Sequence, residues 1–247
     1  PESSTAAATP AAARHYELVL RMREPDGTLV QPIEFIPAAE RYNVMPALDR
    51  WVVRQALASI LSRSTAGERF SVAINLSGTT LNDDRFLEYV IGELASLDLA
   101  PGSLCFEITE TAAISSLANV VYFMRELRDR GVKFALDDFG AGLSSFSYLK
   151  TLPVDYLKID GQFVEAVARD PIDRSMVEAI CQVARAMGLQ TIAERVESAE
   201  VLETLAALGV DYAQGFYLAR PQPMSRFPQP AVAGARPAHD PGPEPPR

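Results

Sequence analysis

The chain has 247 residues, 48% apolar and 22% charged, with 23 basic against 32 acidic side chains and a formal charge of −9. That length fits one large α/β barrel or two ordinary domains, and the apolar-to-charged balance excludes global disorder. So acidic a surface does not grip polymeric nucleic acid, and two cysteines with two histidines exclude a disulfide framework, a Cys-rich zinc site and most histidine-based chemistry.

Residues 1–14 are rich in alanine with serine, threonine and proline and lack an initiating methionine, which reads as a disordered linker in a piece of a longer chain. One ordered unit is expected over 15–227. A first strand-like run spans 16–20 and carries Glu17; His15 beside it reads as a polar strand end. Met45 and Trp51 follow in a helical stripe and read as packing. A second run, 70–74, ends on Asn75, and a third, 104–108, holds Glu107 near its end. Leu117, Val120, Val121, Met124 and Leu127 then form a helical stripe that stops at Gly131. The fourth run, 132–136, ends on Asp137 and Asp138; the fifth, 154–159, carries Lys158 and ends on Asp160. A second helical stripe (Met176, Ile180, Val183, Ala184, Met187) stops at Gly188, before a sixth run over 190–193 that ends on Glu194. The third stripe (Val201, Leu202, Leu205, Leu208) stops at Gly209, before a seventh run over 212–217 that holds Gln214. Cys105 and Cys181 sit in apolar patterns and read as core. Half of the 18 prolines fall after residue 220, and 228–247 reads as a disordered Pro-rich tail. No apolar run reaches the roughly 18 to 20 residues that cross a bilayer, and no signal-peptide core opens the chain, so no membrane contact is expected of this segment.

Most of the seven runs are continuously apolar, the pattern of parallel strands covered on both faces, and the alternation with helices implies right-handed crossovers. An α/β, TIM-type (β/α)8 barrel is expected, with its first strand missing from this fragment because seven strands are counted where eight are needed. An open doubly wound sheet would carry a Gly-rich first turn, and no G-x-G-x-x-G or Walker pattern occurs. In a barrel the strand ends ring one mouth, which here gathers carboxylates, an amide and one lysine without histidine or cysteine. Such an oxygen-rich set suits Mg²⁺ or Mn²⁺. Adjacent Asp137 and Asp138 can share a site only where the strand turns, and Gly140 and Gly142 are expected to supply that turn.

With these residues in order, the chain resembles the EAL domain family, the bacterial cyclic-di-GMP phosphodiesterase module. The resemblance covers 15–227 and rests on Asn75, Leu76, Ser77; on Glu107, Ile108, Thr109, Glu110; on the run Asp137, Asp138, Phe139, Gly140, Ala141, Gly142, Leu143, Ser144, Ser145; on Lys158, Ile159, Asp160; and on Gln214, Gly215. Two segments depart from it: Glu17, Leu18, Val19 stands for Glu-Ala-Leu, and Glu194, Arg195, Val196, Glu197 for Glu-Gly-Val-Glu. The resemblance implies two Mg²⁺ or Mn²⁺ ions per site, one among Glu17, Asn75, Glu107 and Asp137 and one among Asp137, Asp138 and Glu194. Two such ions can hold and acidify a water for in-line displacement. It further implies that Lys158, Glu194, Asp137, Asp138 and Gln214 are catalytic, with Lys158 and Glu194 both open as general base. Arg21, Asp160 and Gln214 would bind substrate, Arg21 from the same strand face as Glu17. Glu110 and Glu197 would support the site, Glu110 by holding the loop over 138–145. The implied reaction is hydrolysis of cyclic di-GMP to linear pGpG in the cytoplasm, with a receptor that binds without cleaving as the alternative. A homodimer and upstream sensory or GGDEF domains, the latter in a parent that a membrane could anchor, are the implied partners. The implied missing strand runs antiparallel to the other seven.

Overall fold

The structure, a computed structural model, describes residues 14–64, 70–141 and 147–224. The predicted linker, apart from Arg14, and the predicted tail lie outside the described residues, as do Gly142 and the four positions after it. In chain order the elements are β1 Arg14–Leu18, β2 Met22–Arg23, β3 Leu29–Val30, α1 Pro32–Arg41, α2 Met45–Ser64, β4 Phe70–Asn75, α3 Asp84–Ala95, β5 Leu104–Thr109, α4 Glu110–Ser115, α5 Leu117–Arg128, β6 Lys133–Phe139, β7 Tyr156–Ile159, α6 Gly161–Val164, α7 Pro171–Met187, β8 Gln190–Ala193, α8 Ala199–Leu208 and β9 Tyr212–Ala213. Arg14 therefore belongs to the first strand and not to the linker.

The seven predicted strands form one sheet in the order β1, β4, β5, β6, β7, β8, β9, every neighbouring pair parallel. Strands β2 and β3 make a separate antiparallel hairpin that the apolar pattern did not resolve, since two-residue strands have no periodicity to read. The sheet curls: Gln214, just past β9, donates from Nε2 to Oε2 of Glu17 in β1 at 2.6 Å. The curl has a TIM-like form, but β1 and β9 share no strand pairing, so the sheet is open along that seam among the described residues.

The apolar runs conceal an alternation. Val72, Ile74, Phe106, Ile108, Phe134, Leu136, Leu157 and Ile159 are buried in the large core that the helices cover. Between them, Ala73, Cys105 and Ala135 form a separate small layer inside the curl, with Tyr156 packed against it. Above that layer, two residues further along the strands, stand Asn75, Glu107, Asp137 and Lys158. The outer core is bound by rings: Phe106 lies 5.9 Å from Phe134 and 6.1 Å from Phe123, centre to centre.

The helix ends follow their sequence signals. Asp170 caps α7 by accepting from Ile172 N at 2.7 Å, with Pro171 in the first turn, and Gly188 closes the helix at φ 71°. Ser198 caps α8, and Gly209 ends it at φ 82°. Trp51 departs from expectation: it is 47% exposed on α2 and lines a cleft of about 1100 Å³ along the open seam, together with Tyr212 and Phe216. Among the described residues no helix is long and apolar enough to cross a membrane.

Core and cap should separate cleanly in stability. Phe106→Ala is expected to cost about 3–5 kcal/mol and Asp170→Ala about 1 kcal/mol. Urea denaturation followed by circular dichroism checks both, the first shift exceeding the second at least twofold.

Candidate active site at the strand ends

Lys158 organises the mouth. Its side chain is 1% exposed, and an ammonium so placed needs counter-charges from every side. Nζ lies 2.6 Å from Glu107 Oε2, 2.8 Å from Glu194 Oε1, 3.0 Å from Asp137 Oδ1 and 3.6 Å from Glu17 Oε2. Five strand ends thus meet at one atom: β7 supplies the cation, and β1, β5, β6 and the end of β8 supply carboxylates. Glu17 also accepts from Asn75 Nδ2 at 2.7 Å, so the end of β4 joins the same network. With its amide nitrogen turned to Glu17, Asn75 keeps Oδ1 as its acceptor.

Asp138 reaches the mouth through a defect in the ladder. Between β6 and β7 the register passes from Leu136 opposite Leu157 to Phe139 opposite Ile159, one extra residue on β6. Asp138 takes up that residue with a left-handed backbone, φ 54°. A bulge turns two consecutive side chains toward one side, and carboxylate oxygens of Asp137, Asp138 and Glu194 all fall within 4.8 Å of one another. The turn expected from Gly140 and Gly142 is therefore corrected: the aspartate itself makes it, inside the strand. Gly140, at φ 96°, follows the bulge, and Gly142 lies outside the described residues.

Glu110 sits buried below this corner, accepting from Gly140 N at 3.0 Å and from the Tyr148 hydroxyl at 2.6 Å. It pins both flanks of the segment 142–146. Asp160 caps α6, its Oδ1 accepting from Gln162 N at 2.7 Å, and its charge bears on Asp138. Arg21 is placed differently from the sequence expectation. β1 ends at Leu18, so strand alternation does not carry Arg21 to the face of Glu17; it is exposed and donates to its neighbour's carbonyl, Leu20 O, at 2.6 Å. It does line the seam cleft that Glu17 and Gln214 also line. Glu197 is exposed. His15, expected as a polar strand end, contacts Ser71 Oγ at 3.2 Å inside the curl.

Three contributors escaped the sequence reading. Asp49, 2% exposed on α2, accepts from Ser77 N at 3.2 Å and fixes the turn after Asn75. Tyr148 anchors Glu110, and Glu165 pairs with Arg195 at 3.1 Å. Only Tyr148, close after the Asp-Asp run, had a sequence position that pointed here.

The electrostatics follow from burial and from one cation among many anions. Burial pushes Glu107 up to about 8 and Glu194 up to about 7, against the pull of Lys158 and with neighbouring carboxylates adding to the rise. Burial and then Asp137 raise Asp138. Burial also pushes on Glu17, but Lys158 and the amides of Gln214 and Asn75 outweigh it and hold Glu17 low. For Lys158, burial favours loss of the proton, and the carboxylates, Glu107 first, overrule it and keep the ammonium charged. Oxygen donors at this density, with more negative charge than one ammonium cancels, fit a hard divalent cation.

Comparison with known proteins gives a consistent picture. A family profile described as EAL domain matches residues 9–221. The chain is 42% identical over 211 residues to the cyclic di-GMP phosphodiesterase PdeB of Shewanella oneidensis, an alignment covering 85% of this chain and 25% of that protein. It superposes on the c-di-GMP complex of the PaMucR phosphodiesterase with a TM-score of 0.78 at 34% identity, covering 84% of each chain. The FimX EAL domain of Pseudomonas aeruginosa bound to c-di-GMP gives a TM-score of 0.78 at 31% identity, covering 85% of each. The chain spans from 25% to 35% of the length of the curated relatives it matches.

Removing the central cation exposes the excess of negative charge. In chelator near pH 7, Lys158→Met is expected to cost about 3–5 kcal/mol. Raised carboxylate pKa values mean that the fold binds protons more tightly than the unfolded chain, so this loss should shrink as the pH falls from about 8 toward 5. Guanidinium denaturation at several pH values measures it.

Proposed function

The chain belongs to the EAL domain family, and from that premise and the charge at its mouth we propose that it hydrolyses cyclic di-GMP to linear pGpG with two Mg²⁺ or Mn²⁺ ions. The observation that carries this reading is the convergence of Asp137, Asp138 and Glu194 beside the Lys158 cluster. Five carboxylates (Glu17, Glu107, Asp137, Asp138, Glu194) less one ammonium leave four negative charges, the complement of two divalent ions.

Glu17, Asn75, Glu107 and Asp137 would hold one ion; Asp137, Asp138 and Glu194 would hold the other, with Asp137 shared. Such ions supply an acidified water and offset charge on phosphoryl oxygens. The remaining roles fall to the chain's own groups. Lys158, within 3.0 Å of Glu107, Glu194 and Asp137, is placed as donor and positive charge toward the incoming oxygen or the phosphate. Glu194, at the end of β8 and 2.8 Å from Lys158, is the carboxylate placed to accept the water proton. Gln214, held against Glu17, orients water or substrate from the edge of the sheet. Arg21 meets the substrate from the seam side of the mouth, and Asp160 borders it beside Asp138. Glu110 keeps Gly140 and the bulge in place, and Glu197 supports the loop after β8. The unit over 15–227 carries this activity. The parent chain contributes sensory or GGDEF domains upstream, the unit works in the cytoplasm, and it pairs as a homodimer.

With Mg²⁺ or Mn²⁺, chromatography should show cyclic di-GMP converted to pGpG, and Asp137→Asn should lower the rate more than about 100-fold. Ca²⁺ should activate poorly, since it accepts looser geometry. Tight binding without turnover would assign the chain to the receptors, and full activity of Asp137→Asn would refute the ion assignment.

A further inference from the structure

Arg195 follows Glu194 at the end of β8 and has a left-handed backbone, φ 51°. Glycine would adopt that conformation without strain, and a residue with a Cβ does not. The side chain does not turn into the mouth. Its Nη1 donates to Glu165 Oε1 at 3.1 Å, and its stem lies flat on Gly161, where an added Cβ would collide with Arg195 Cγ and Cδ. Glu165 and Gly161 belong to the segment after β7, so the arginine spans the two loops that follow Lys158 and precede Glu197.

Neither the strain nor the ion pair accounts for itself through stability. The side chains of the pair are 65% and 54% exposed, and such pairs add little to a fold. The guanidinium is nonetheless within electrostatic reach of Asp138, Asp160 and Glu194. Lys158 is buried and fully engaged, which leaves Arg195 as an accessible positive charge on this side of the mouth. Strain retained at a site, with a weakly held charged group attached to it, points to a ligand that repays the strain.

We propose that Arg195 is a substrate-binding residue: parked on Gly161 and Glu165, it exchanges Glu165 for a phosphodiester oxygen of the bound dinucleotide. The inference rests on reading the mouth as a cyclic di-GMP site. A guanidinium suits this exchange because its planar fork presents two parallel N–H donors to two phosphate oxygens, whereas a lysine ammonium acts as a point charge.

The test compares wild type with Arg195→Gly, Arg195→Lys and Glu165→Gln in the full chain. KM and kcat are read with Mg²⁺, Kd for cyclic di-GMP by calorimetry with Ca²⁺, and Tm by scanning fluorimetry. Arg195→Gly is expected to raise KM and Kd roughly five- to twentyfold, with kcat within about twofold, as expected for loss of binding shared by ground and transition states. Its Tm should equal or exceed that of wild type because the strain is gone. Arg195→Lys should fall between. Glu165→Gln, which removes the competing anion, should tighten Kd about two- to threefold. Unchanged KM and Kd in Arg195→Gly would overturn the proposal. So would a Glu165→Gln variant that weakens binding as Arg195→Gly does, since that pattern belongs to a clamp between loops. A wild type that neither binds nor cleaves cyclic di-GMP would overturn the reading of the mouth and this proposal with it.

Discussion

An ammonium removed from water is tolerable only if anions replace the water, and Lys158 takes its anions from four other strand ends. That requirement cannot be met by a flat sheet. From β7 the lysine reaches Glu107 and Asp137 on one side, Glu194 on the other, and Glu17 of β1, the far edge of the sheet in pairing order. The curl of the sheet and the charge of the mouth therefore support each other. The helices outside enforce the curl through the apolar faces of the strands, and the cluster inside fixes how far it goes. The carboxylates in turn exceed what one lysine neutralises, so their excess is held either as protons or as bound cations.

The bulge in β6 settles how two adjacent aspartates enter one site. Regular strand geometry sends neighbours to opposite faces, and would bury Asp138 in the apolar layer beneath the helices. The extra residue opposite β7 turns it back, at the cost of a left-handed backbone for a residue type that tolerates it better than most. Glu110 and Tyr148 brace that corner through Gly140, which makes them part of the geometry that presents Asp137 and Asp138.

Periodicity in the sequence located all seven strands of the sheet, and the stripes ending at Gly188 and Gly209 located α7 and α8 with their stops, because those signals are local. The polar residues at the strand ends were legible for the same reason: a lysine or carboxylate at the end of an apolar run is visible without knowledge of its partners. What was not legible depends on three-dimensional closure. Trp51 fits a helical stripe, but its side of α2 faces the open seam. Strand alternation would put Arg21 on the face of Glu17, but the strand stops at Leu18. Asp49 and Glu165 act through contacts with residues 28 and 30 positions away, and no local pattern marks them.

Glu17 links the two edges of the sheet. Asn75 from the neighbouring strand occupies Oε1, and Gln214 from the opposite edge occupies Oε2, 197 positions along the chain. No backbone ladder joins β1 to β9, so at the mouth the ring is completed by this carboxylate, while below it the edges part around the cleft lined by Trp51 and Tyr212. Each oxygen of a carboxylate has two lone pairs, and each amide bond takes one, so Glu17 can close the ring and still offer oxygen to a cation. A cation drawn to Glu17 and Asp137 would pull on the same atom that holds Gln214 in place. The hydrogen bond that completes the ring and the charge that would attract an ion thus belong to one side chain, so the two would be linked through Glu17.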